Sequence, residues 1–468
     1  KVLRCKQRKS KMQDKQKIDK FIDIRARLSK NAITAMERLE EAGYEAYIVG
    51  GSLRDILMGR EVHDFDVTSS AMPDEVMKVF SEFKVIPTGL KHGTVTVLVE
   101  DEPVEITTFR SESGYSDGRH PDSVSFAKSV EDDLGRRDFT MNAMACRING
   151  ELVDLFGGQN DIANKLIRTV GDAKERFSED GLRILRAIRF AAVLGFEVET
   201  DTKDAIHQMG YMIEKVSEER IVSEFNKIML SEKPSTYLRE YKDIICIFMP
   251  ELEACIGFDQ KNHHHVYDVF EHTLRVVDNT PPKLSLRLAA LFHDISKPIC
   301  FEIGNDGEGH FYGHASKSAE MAENILRRLK YDNVTITDVC QLVKYHDHQI
   351  ENSDKIIKRM LRRLGEEGLF DLLDMKRADN FGQSEEFRYR QDILQELERS
   401  ARRILEENAC FSLKDMAIKG SDLIKLGMVQ GPEIGDVLEM LLDKVISGEI
   451  KNDRQELIAC LKDSGAIE

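Results

Sequence analysis

The chain has 468 residues, with 83 acidic against 67 basic, a net charge of −16, 41% hydrophobic and 32% charged residues. That is a soluble, folding composition with room for two to four domains, and it excludes a disordered chain and a protein that coats nucleic acid through bulk charge. No uncharged apolar run reaches the ~18 residues of a membrane span, no apolar segment makes the basic N-terminus a secretory signal, and the 8 cysteines show no zinc spacing, so reduced thiols and a cytoplasmic location are expected.

Residues 1–25 are a basic stretch expected to be disordered. Residues 1–20 alone carry nine Lys/Arg against two Asp. Residues 1–20 read as either a frayed end or added sequence, with Met12 a candidate native start. Residues 29–43 predict an amphipathic helix that stops at Gly43. From 45 to 130 the character changes. EAYIVGG, DFDVTSS, GTVTVLVE, PVEITTFR and SVSFA are short β-rich runs, with helices near 52–58 and 73–82. After DLFGG (154–158) strands are expected to stop, and 159–250 and 262–468 read as successive helices broken chiefly at Gly304–Gly313. The expected fold class is α+β. A head of mixed sheet plus helices spans 26–160, a helical neck 161–250, a helical body 251–400 and a helical tail 401–468. Lys355, Lys358, Arg359, Arg362 and Arg363 have helical spacing, as either a solvated face or a patch for RNA.

GGSLRD (50–55) follows a strand and opens a helix. Gly50 and Gly51 permit close backbone approach, and the helix N-terminus offers N–H groups to a phosphate. In DFD, Asp64 and Asp66 are two apart on a strand, so both carboxylates face one side. Two adjacent carboxylates call for a cation, and hard Mg2+ wants such oxygens. Glu105, on a later strand, supplies a third. The competing reading is a pair of exposed acids on an edge strand.

GGSLRD followed by DFDVTS resembles the signature of the polymerase-β-type nucleotidyltransferases. Within them it is most similar to the class II branch of bacterial CCA-adding tRNA nucleotidyltransferases and poly(A) polymerases. EITTFR, YSDGRHP (115–121), RRDFTMNAMA (136–145), VDLFGG (153–158), EDGLRILRAIRFA (179–191), SEERIVSEFNKIM (217–229) and KGSDLIKLGMVQGPEIG (419–435) follow in the family's order. The resemblance spans roughly residues 30 to 460. It implies a polymerase-β-type head, the tRNA 3′ end as RNA partner, CTP and ATP as donors, and two Mg2+ ions held by Asp64 and Asp66 with Glu105 as the third catalytic carboxylate. Full CCA addition is the first reading. The alternatives are a poly(A) polymerase or A-adding enzyme, and, in a different class, a metal-dependent phosphohydrolase. Monomer and homodimer both remain open, and no protein partner is evident.

The remaining nucleotide-binding candidates are Arg54, Arg136, Arg137, Asp138, Asp180, Arg183, Arg186 and Arg189. Arg137 can fork onto ribose or phosphate oxygens and Asp138 can accept a 2′-hydroxyl; the resemblance implies selection of ribonucleotides here. Ser178 is expected to cap a helix whose first turn carries Glu179 and Asp180. Asp180 and Arg183 are then neighbours on one face. A carboxylate accepts from an amino group and a guanidinium donates to a ring nitrogen, the pattern of cytosine and adenine. The resemblance implies this template role; the plainer reading is an i,i+3 salt bridge. Arg186 and Arg189 continue a basic stripe toward the triphosphate or the RNA end. Residues 111–121 are expected to form a mobile loop.

Most of the 13 histidines fall between 263 and 348. His272, His293, Asp294 and Asp379 match the H…HD…D pattern of HD-type phosphohydrolases, with His314 and His346 matching the extra histidines of binuclear relatives. Imidazole mixed with carboxylate suits Ni2+, Mn2+ or Fe2+. Ser296 departs from the usual HDIGKP. The competing reading is an inherited helical scaffold without turnover.

Overall fold

A computed structural model describes residues 22–467 apart from 63, 91–92, 101, 114–122, 128, 264–265 and 408–409. The basic stretch over 1–20 and the YSDGRHP segment expected to be mobile lie outside the described residues. The chain divides into two compact units, Lys1–Ile228 with Asp243–Phe248, and Met229–Lys242 with Met249–Glu468.

In the first unit, α1 (Lys30–Glu41) begins where Ser29 accepts from the Ala32 backbone N–H, which satisfies a free helix donor. Ala32, Ala35, Met36 and Leu39 are its buried stripe. Then come β1 (Ala46–Val49), α2 (Gly50–Leu57), β2 (Asp66–Ser69), α3 (Pro73–Val79), β3 (Lys84–Gly89), β4 (Thr94–Val99) and β5 (Glu102–Thr108). They are followed by β6 (Arg110–Ser113), β7 (Ser123–Phe126), α4 (Val130–Gly135), β8 (Met144–Cys146) and β9 (Leu152–Asp154). Seven strands form a mixed sheet in the order β3-β4-β5-β2-β1-β8-β9, with β2 and β5 parallel. Strands β6 and β7 pair as a separate antiparallel ribbon, so residues 111–113, expected in a loop, are strand.

Side chains alternate across a strand, and here both faces are covered. Ala46, Ile48, Val104 and Ile106 join Met36, Leu39, Leu53, Val76 and Phe80 in the larger core. Tyr47 and Val49 turn the other way, onto Phe109, Val130, Leu134 and Ala145. Each fully buried apolar side chain of this kind contributes about 2 kcal/mol, and together they hold the rigid floor on which the polar residues stand.

Two strands of the sheet gave no clear sequence signal. Strand β3, KVIPTG, contains Pro87, which survives because β3 is a sheet edge. Strand β8 has three residues, all buried, too few to show a period. The expectation that strands stop after DLFGG is corrected by Leu166–Ile167 with Glu197–Val198 and by Glu302–Ile303 with Gly309–His310. Each is two residues long, below the reach of pattern reading.

The neck contributes α5 (Leu182–Leu194) and α6 (Glu218–Met229). The expected cap at Ser178 is not formed. Ser178 lies in the last turn of a separate helix, Ala173–Glu179, and donates to the Glu175 carbonyl. Asp180 is extended, at φ −147° and ψ 109°, and its carboxylate accepts from the Leu182 N–H to start α5. An Asp that captures the backbone beyond it breaks one helix and opens the next.

The second unit is built from α7 (Val269–Asn279), α8 (Leu284–Phe292), α9 (His314–Arg328), α10 (Asn333–Tyr345), α11 (Asp354–Gly382, kinked at Gly365) and α12 (Arg390–Glu406). A further core gathers Ile418, Leu423, Leu441, Leu442, Leu457 and Leu461 in the tail. In the basic run, Arg362 pairs with Glu439 and Asp443 of the tail, and Arg363 lies over the Tyr345 ring. No helix among the described residues is long and apolar enough to cross a membrane.

Candidate active site and metal centre

The chain leaves β1 at Gly50 with φ +69°. A Cβ there would lie 3.1 Å from Arg137 Nη1 and 3.5 Å from Asp66 Oδ2, so only glycine lets a cation and a carboxylate close on the turn. No side chain caps α2, which leaves its first N–H groups to an anion. Strand β2 begins at Asp66, so the expected pair on one strand is corrected: Asp64 precedes the strand, and Phe65 between the two packs toward the larger core. Glu105 sits opposite Asp66 in the parallel β2–β5 pairing. All three carboxylates reach solvent. Partial desolvation by the cleft wall pushes the Asp66 carboxyl up, Arg137 opposes, and Glu105 and Asp64 add to the net rise. The three do not close into a cluster with all donor atoms within 4.8 Å; among the described residues, such clusters occur only in the second unit.

Asp133 of α4 organises the arginines. It is fully buried and accepts from Arg136 Nε at 3.1 Å and Nη2 at 2.7 Å, and from Arg137 Nη2 at 3.1 Å. Burial raises its carboxyl, but Arg137 and Arg136 outweigh burial and hold it below the usual range. Arg137 Nε is buried with no hydrogen-bond partner among the described residues. Asp133 escaped sequence reading, although its spacing of three and four residues to the two arginines carried the signal.

Four other expected contact residues are engaged with protein. Asp138 is buried and accepts from Arg186 Nε at 2.8 Å and Nη2 at 2.5 Å, and from the Phe139 N–H at 2.8 Å. In this structure it acts as a brace for Arg186. Arg186 is therefore not a free stripe residue, and neither is Arg189, which donates to Glu224 of α6 at 2.6 Å and lies over Phe190. Arg54 donates to Asn142 at 3.0 Å and pairs with Asp55 at 2.8 Å. The physical reason is common to all: a buried charge must find a partner.

Asp180 and Arg183 do not pair with each other. Asp180 is held by Arg220 of α6, at 3.2 and 2.7 Å. Arg183 pairs with Glu179 and donates to the carbonyls of Arg176 at 3.0 Å and Arg136 at 3.2 Å. The i,i+3 salt-bridge reading is thereby set aside. Arg220 lies 40 residues from Asp180, beyond any local pattern.

In the second unit all six expected ligand-type residues converge. His272, His293 and Asp294 form one cluster; Asp294, His314 and His346 form another, sharing the aspartate. Asp379 Oδ1 lies 3.0 Å from His272 Nε2 and 3.8 Å from His293 Nε2. Each imidazole is oriented through Nδ1 by a carbonyl: His272 by Gly382 at 3.2 Å, His293 by Ala290 at 2.8 Å, His314 by Phe311 at 2.8 Å, His346 by Val343 at 2.7 Å. That turns every Nε2 inward, the arrangement by which outer partners aim metal-binding imidazoles. A Cβ on Gly382 would sit 2.8 Å from His272 Nδ1, so this close approach requires glycine. Burial opposes ionisation of Asp294, but His293 and Lys297, whose Nζ is 2.7 Å away, hold it well below the carboxylate range. Asp294 Oδ1 is buried and accepts no hydrogen bond, although His314 and His346 Nε2 lie at 3.4 and 3.6 Å. Ser296 fits its place: its Oγ donates to the His314 carbonyl at 2.9 Å and contacts Ser318 Oγ at 2.9 Å. A cleft of about 310 Å3 reaches Asp294, Lys297, His314, His346 and Asp379.

Residues 46–168 match the family described as "Poly A polymerase head domain", 195–255 "Probable RNA and SrmB- binding site of polymerase A", and 311–461 a tRNA nucleotidyltransferase domain 2 family. The chain is 32% identical over 451 residues to the CCA-adding enzyme of Lactobacillus helveticus, covering 96% of this chain and 99% of that one. It is 33% identical over 432 residues to the CCA-adding enzyme of Pediococcus pentosaceus, covering 92% and 96%. The crystal structure of the Bacillus stearothermophilus CCA-adding enzyme in complex with CTP superposes with a TM-score of 0.69 at 27% identity, covering 93% and 97%.

Proposed function

The chain belongs to the CCA-adding enzymes, and from that premise we propose that its head, residues 26–160, works with the neck, 161–250, to extend the tRNA 3′ end with C, C and A from CTP and ATP. The observation that carries the site assignment is the meeting of Gly50, Asp66 and Arg137 at the mouth of α2, with Glu105 opposite Asp66. Family membership implies a divalent metal in this head. The donor set fits Mg2+: it is all carboxylate, with Glu105 opposite Asp66 across the β2–β5 pairing. Asp64 and Asp66 would hold it with Glu105 beside them; when bound, the metal supplies activation of the attacking hydroxyl and neutralisation of the leaving pyrophosphate.

The protein's own residues do the rest. The α2 N-terminus and the Arg137 guanidinium, whose Nη1 faces the Gly50 turn, receive the triphosphate. Asp133 fixes the direction of Arg137 and Arg136. The terminal 3′-hydroxyl attacks the α-phosphorus in line; the 3′-O–P bond forms as the bond to pyrophosphate breaks. Asp180 accepts from the amino group of cytosine or adenine and Arg183 donates to the neighbouring ring nitrogen. Asp138–Arg186, Arg189–Glu224 and Arg54–Asn142 keep that reading edge in register with the phosphate site. The test is extension of tRNA transcripts lacking CCA, CA or A, each with one nucleoside triphosphate. C on the first two ends and A on the third is expected; runs of A on unrelated RNA would make the chain a poly(A) polymerase.

A second, separate activity is supported by the two histidine–aspartate clusters sharing Asp294. Four oriented imidazoles and an orphaned carboxylate oxygen fit a transition metal such as Ni2+, Mn2+ or Fe2+, with His272, His293, Asp294 and Asp379 as one set and His314 and His346 completing another. When bound, such a metal supplies a nucleophile for phosphoester hydrolysis. A 2′,3′-cyclic or 3′-phosphate on a damaged tRNA end is the fitting substrate, because its removal restores the hydroxyl the head requires. Metal content and release of phosphate from such ends, wild type against His272→Ala, test this reading. A wild type that holds no metal and releases nothing would leave only scaffold.

A further inference from the structure

The histidine–aspartate cluster is reached from two sides. Besides the cleft of about 310 Å3, a second of about 590 Å3 opens onto His346 and Asp379. It lies between the loop after α10, the C-terminal end of α11 and the start of α12, all within the second unit. The two clefts share His346, Asp347, Asp379 and Gln383, so a molecule seated in the larger one ends at the cluster. The volume falls in the range of small-molecule sites, about 300–1000 Å3.

The cations lining this cleft differ from their neighbours on the same helices. Arg377 and Arg402 are both spent on Glu398, and Arg403 on Asp354. Lys376 and Arg390, which line the cleft, form no ion pair among the described residues. Lys376 Nζ donates at 2.6 Å to the carbonyls of His346 and His348, which leaves one of its three N–H donors. Arg390 Cζ lies 4.9 Å from the Phe387 ring centroid, and Nη1 donates to Gln383 Oε1 at 3.2 Å, one N–H of the five that a guanidinium carries. Gln383 in turn donates to Asp379 Oδ2 at 3.1 Å, which ties the arginine to the edge of the cluster. Beside these cations the wall is apolar. Tyr389 is 56% exposed and Ile393 49%, with Leu394 and Leu397 buried behind them. An aromatic ring standing in water next to unpaired guanidinium and ammonium groups can hold a nucleobase by its face and a phosphate by charge.

We propose that the larger cleft is the substrate subsite of the histidine–aspartate centre and that it takes the last nucleotide of an RNA strand. The base lies against Tyr389 and Ile393, and the phosphodiester that precedes it lies on Arg390 and Lys376. The 3′ end then points to His346 and Asp379. The proposal rests on the reading of the cluster as a hydrolytic centre and adds a substrate class to it. A polynucleotide end is preferred over a small phosphoester, because only the former engages both the aromatic and the cationic part. In the reaction, water adds to the phosphorus of a terminal 2′,3′-cyclic phosphate, one P–O ester bond breaks, and the released sugar oxygen keeps a proton from that water.

The test compares two substrates on the metal-loaded full-length enzyme: an oligoribonucleotide ending in a 2′,3′-cyclic phosphate, and bis(p-nitrophenyl) phosphate. Wild type is set against Tyr389→Ala, Arg390→Ala, Arg390→Lys and Ile393→Glu. The ratio of kcat/KM for the oligonucleotide to that for the small diester should fall about tenfold in Tyr389→Ala and in Arg390→Ala, through KM. Arg390→Lys should recover part of it, as expected of a phosphate held by charge. Ile393→Glu, at a half-exposed position, should lower it too by setting a carboxylate in the path of the strand. Ratios unchanged in Tyr389→Ala and Ile393→Glu, or loss of both substrates together with the metal, would overturn the assignment. A second arm needs no turnover. An oligoribonucleotide with thiouridine as its last base and a 3′-phosphate, which the head cannot extend, is irradiated on the enzyme and the cross-linked peptide is identified. A label within residues 389–397 supports the cleft, and any result without a label there overturns it. If the wild type hydrolyses neither substrate with Ni2+, Mn2+ or Fe2+, the hydrolytic reading falls, and the cross-link alone decides whether the cleft holds an RNA end.

Discussion

In the head, Asp64, Asp66 and Glu105 are exposed and unconverged. In the helical unit, His272, His293 and Asp294 are almost wholly buried, and every imidazole in the cluster is pinned by a carbonyl. The head must admit a nucleoside triphosphate and an RNA end, so it keeps its carboxylates open and invests rigidity one layer behind, in Asp133, Asp138 and Glu224. In the helical cluster the donor atoms already lie within 4.8 Å of one another in each set. Exposed acidic groups tolerate their mutual repulsion because water screens it; buried ones must be matched group by group. The contrast predicts different responses to substitution.

The largest effect belongs to the open site. Asp66→Ala should lower nucleotide addition ~1000-fold or more, the loss of several kcal/mol of transition-state stabilisation, while circular dichroism and tRNA binding stay as in the wild type. Addition within tenfold of wild type would remove Asp66 from the chemistry. His293→Ala draws the comparison from the other side. It should cut transition-metal content ~100-fold or more, since even outer partners are worth 10–100-fold, and abolish hydrolysis. Addition of CCA by the same preparation should stay within about threefold of wild type, as expected for side chains that bind different metals independently. Joint loss of both activities would join the two sites into one.

Next in size is the layer behind the head carboxylates. Asp133→Asn breaks a buried charge cluster and should cost about 3 kcal/mol at neutral pH. The Asp133 carboxyl is held below its ordinary value in the folded chain by Arg137 and Arg136. Its stabilisation is therefore complete above the unfolded value of about 3.9 and is lost as pH falls through the lowered folded value. Denaturant melts from pH 7 downward should show wild type and Asp133→Asn converging in acid. A gap that stays constant with pH would mean the carboxylate charge is not what stabilises. The smallest effect is expected at Ser296→Gly, which removes the Oγ contacts to His314 and Ser318. It should cost about 1 kcal/mol, the net worth of a hydrogen bond, and leave metal content unchanged. Loss of metal in this variant would show that the pre-formed cluster depends on that one hydroxyl.

The amino-acid sequence by itself determined the class of the fold, the order of its parts and the identity of most side chains in both constellations. Those are carried by local signals: alternation in VEITTF, the glycine pair before a helix, an i,i+2 acid pair, an adjacent His-Asp. By chemistry and motif it pointed to Asp66 and Glu105 in the head, to Asp180 and Arg183 in the neck, and to the six ligand-type residues that converge in the helical unit. What only the tertiary structure decided is which charge holds which. Arg186 on Asp138, Arg220 on Asp180 and Glu224 under Arg189 join residues 48, 40 and 35 positions apart, and no periodicity reports a pairing at that range. The same holds for Gly382, whose carbonyl aims His272 from 110 residues away. Local sequence sets backbone preference within a turn or two; the partner of a buried charge is selected by packing, because desolvation leaves each such group with whichever opposite charge the folded chain brings within reach.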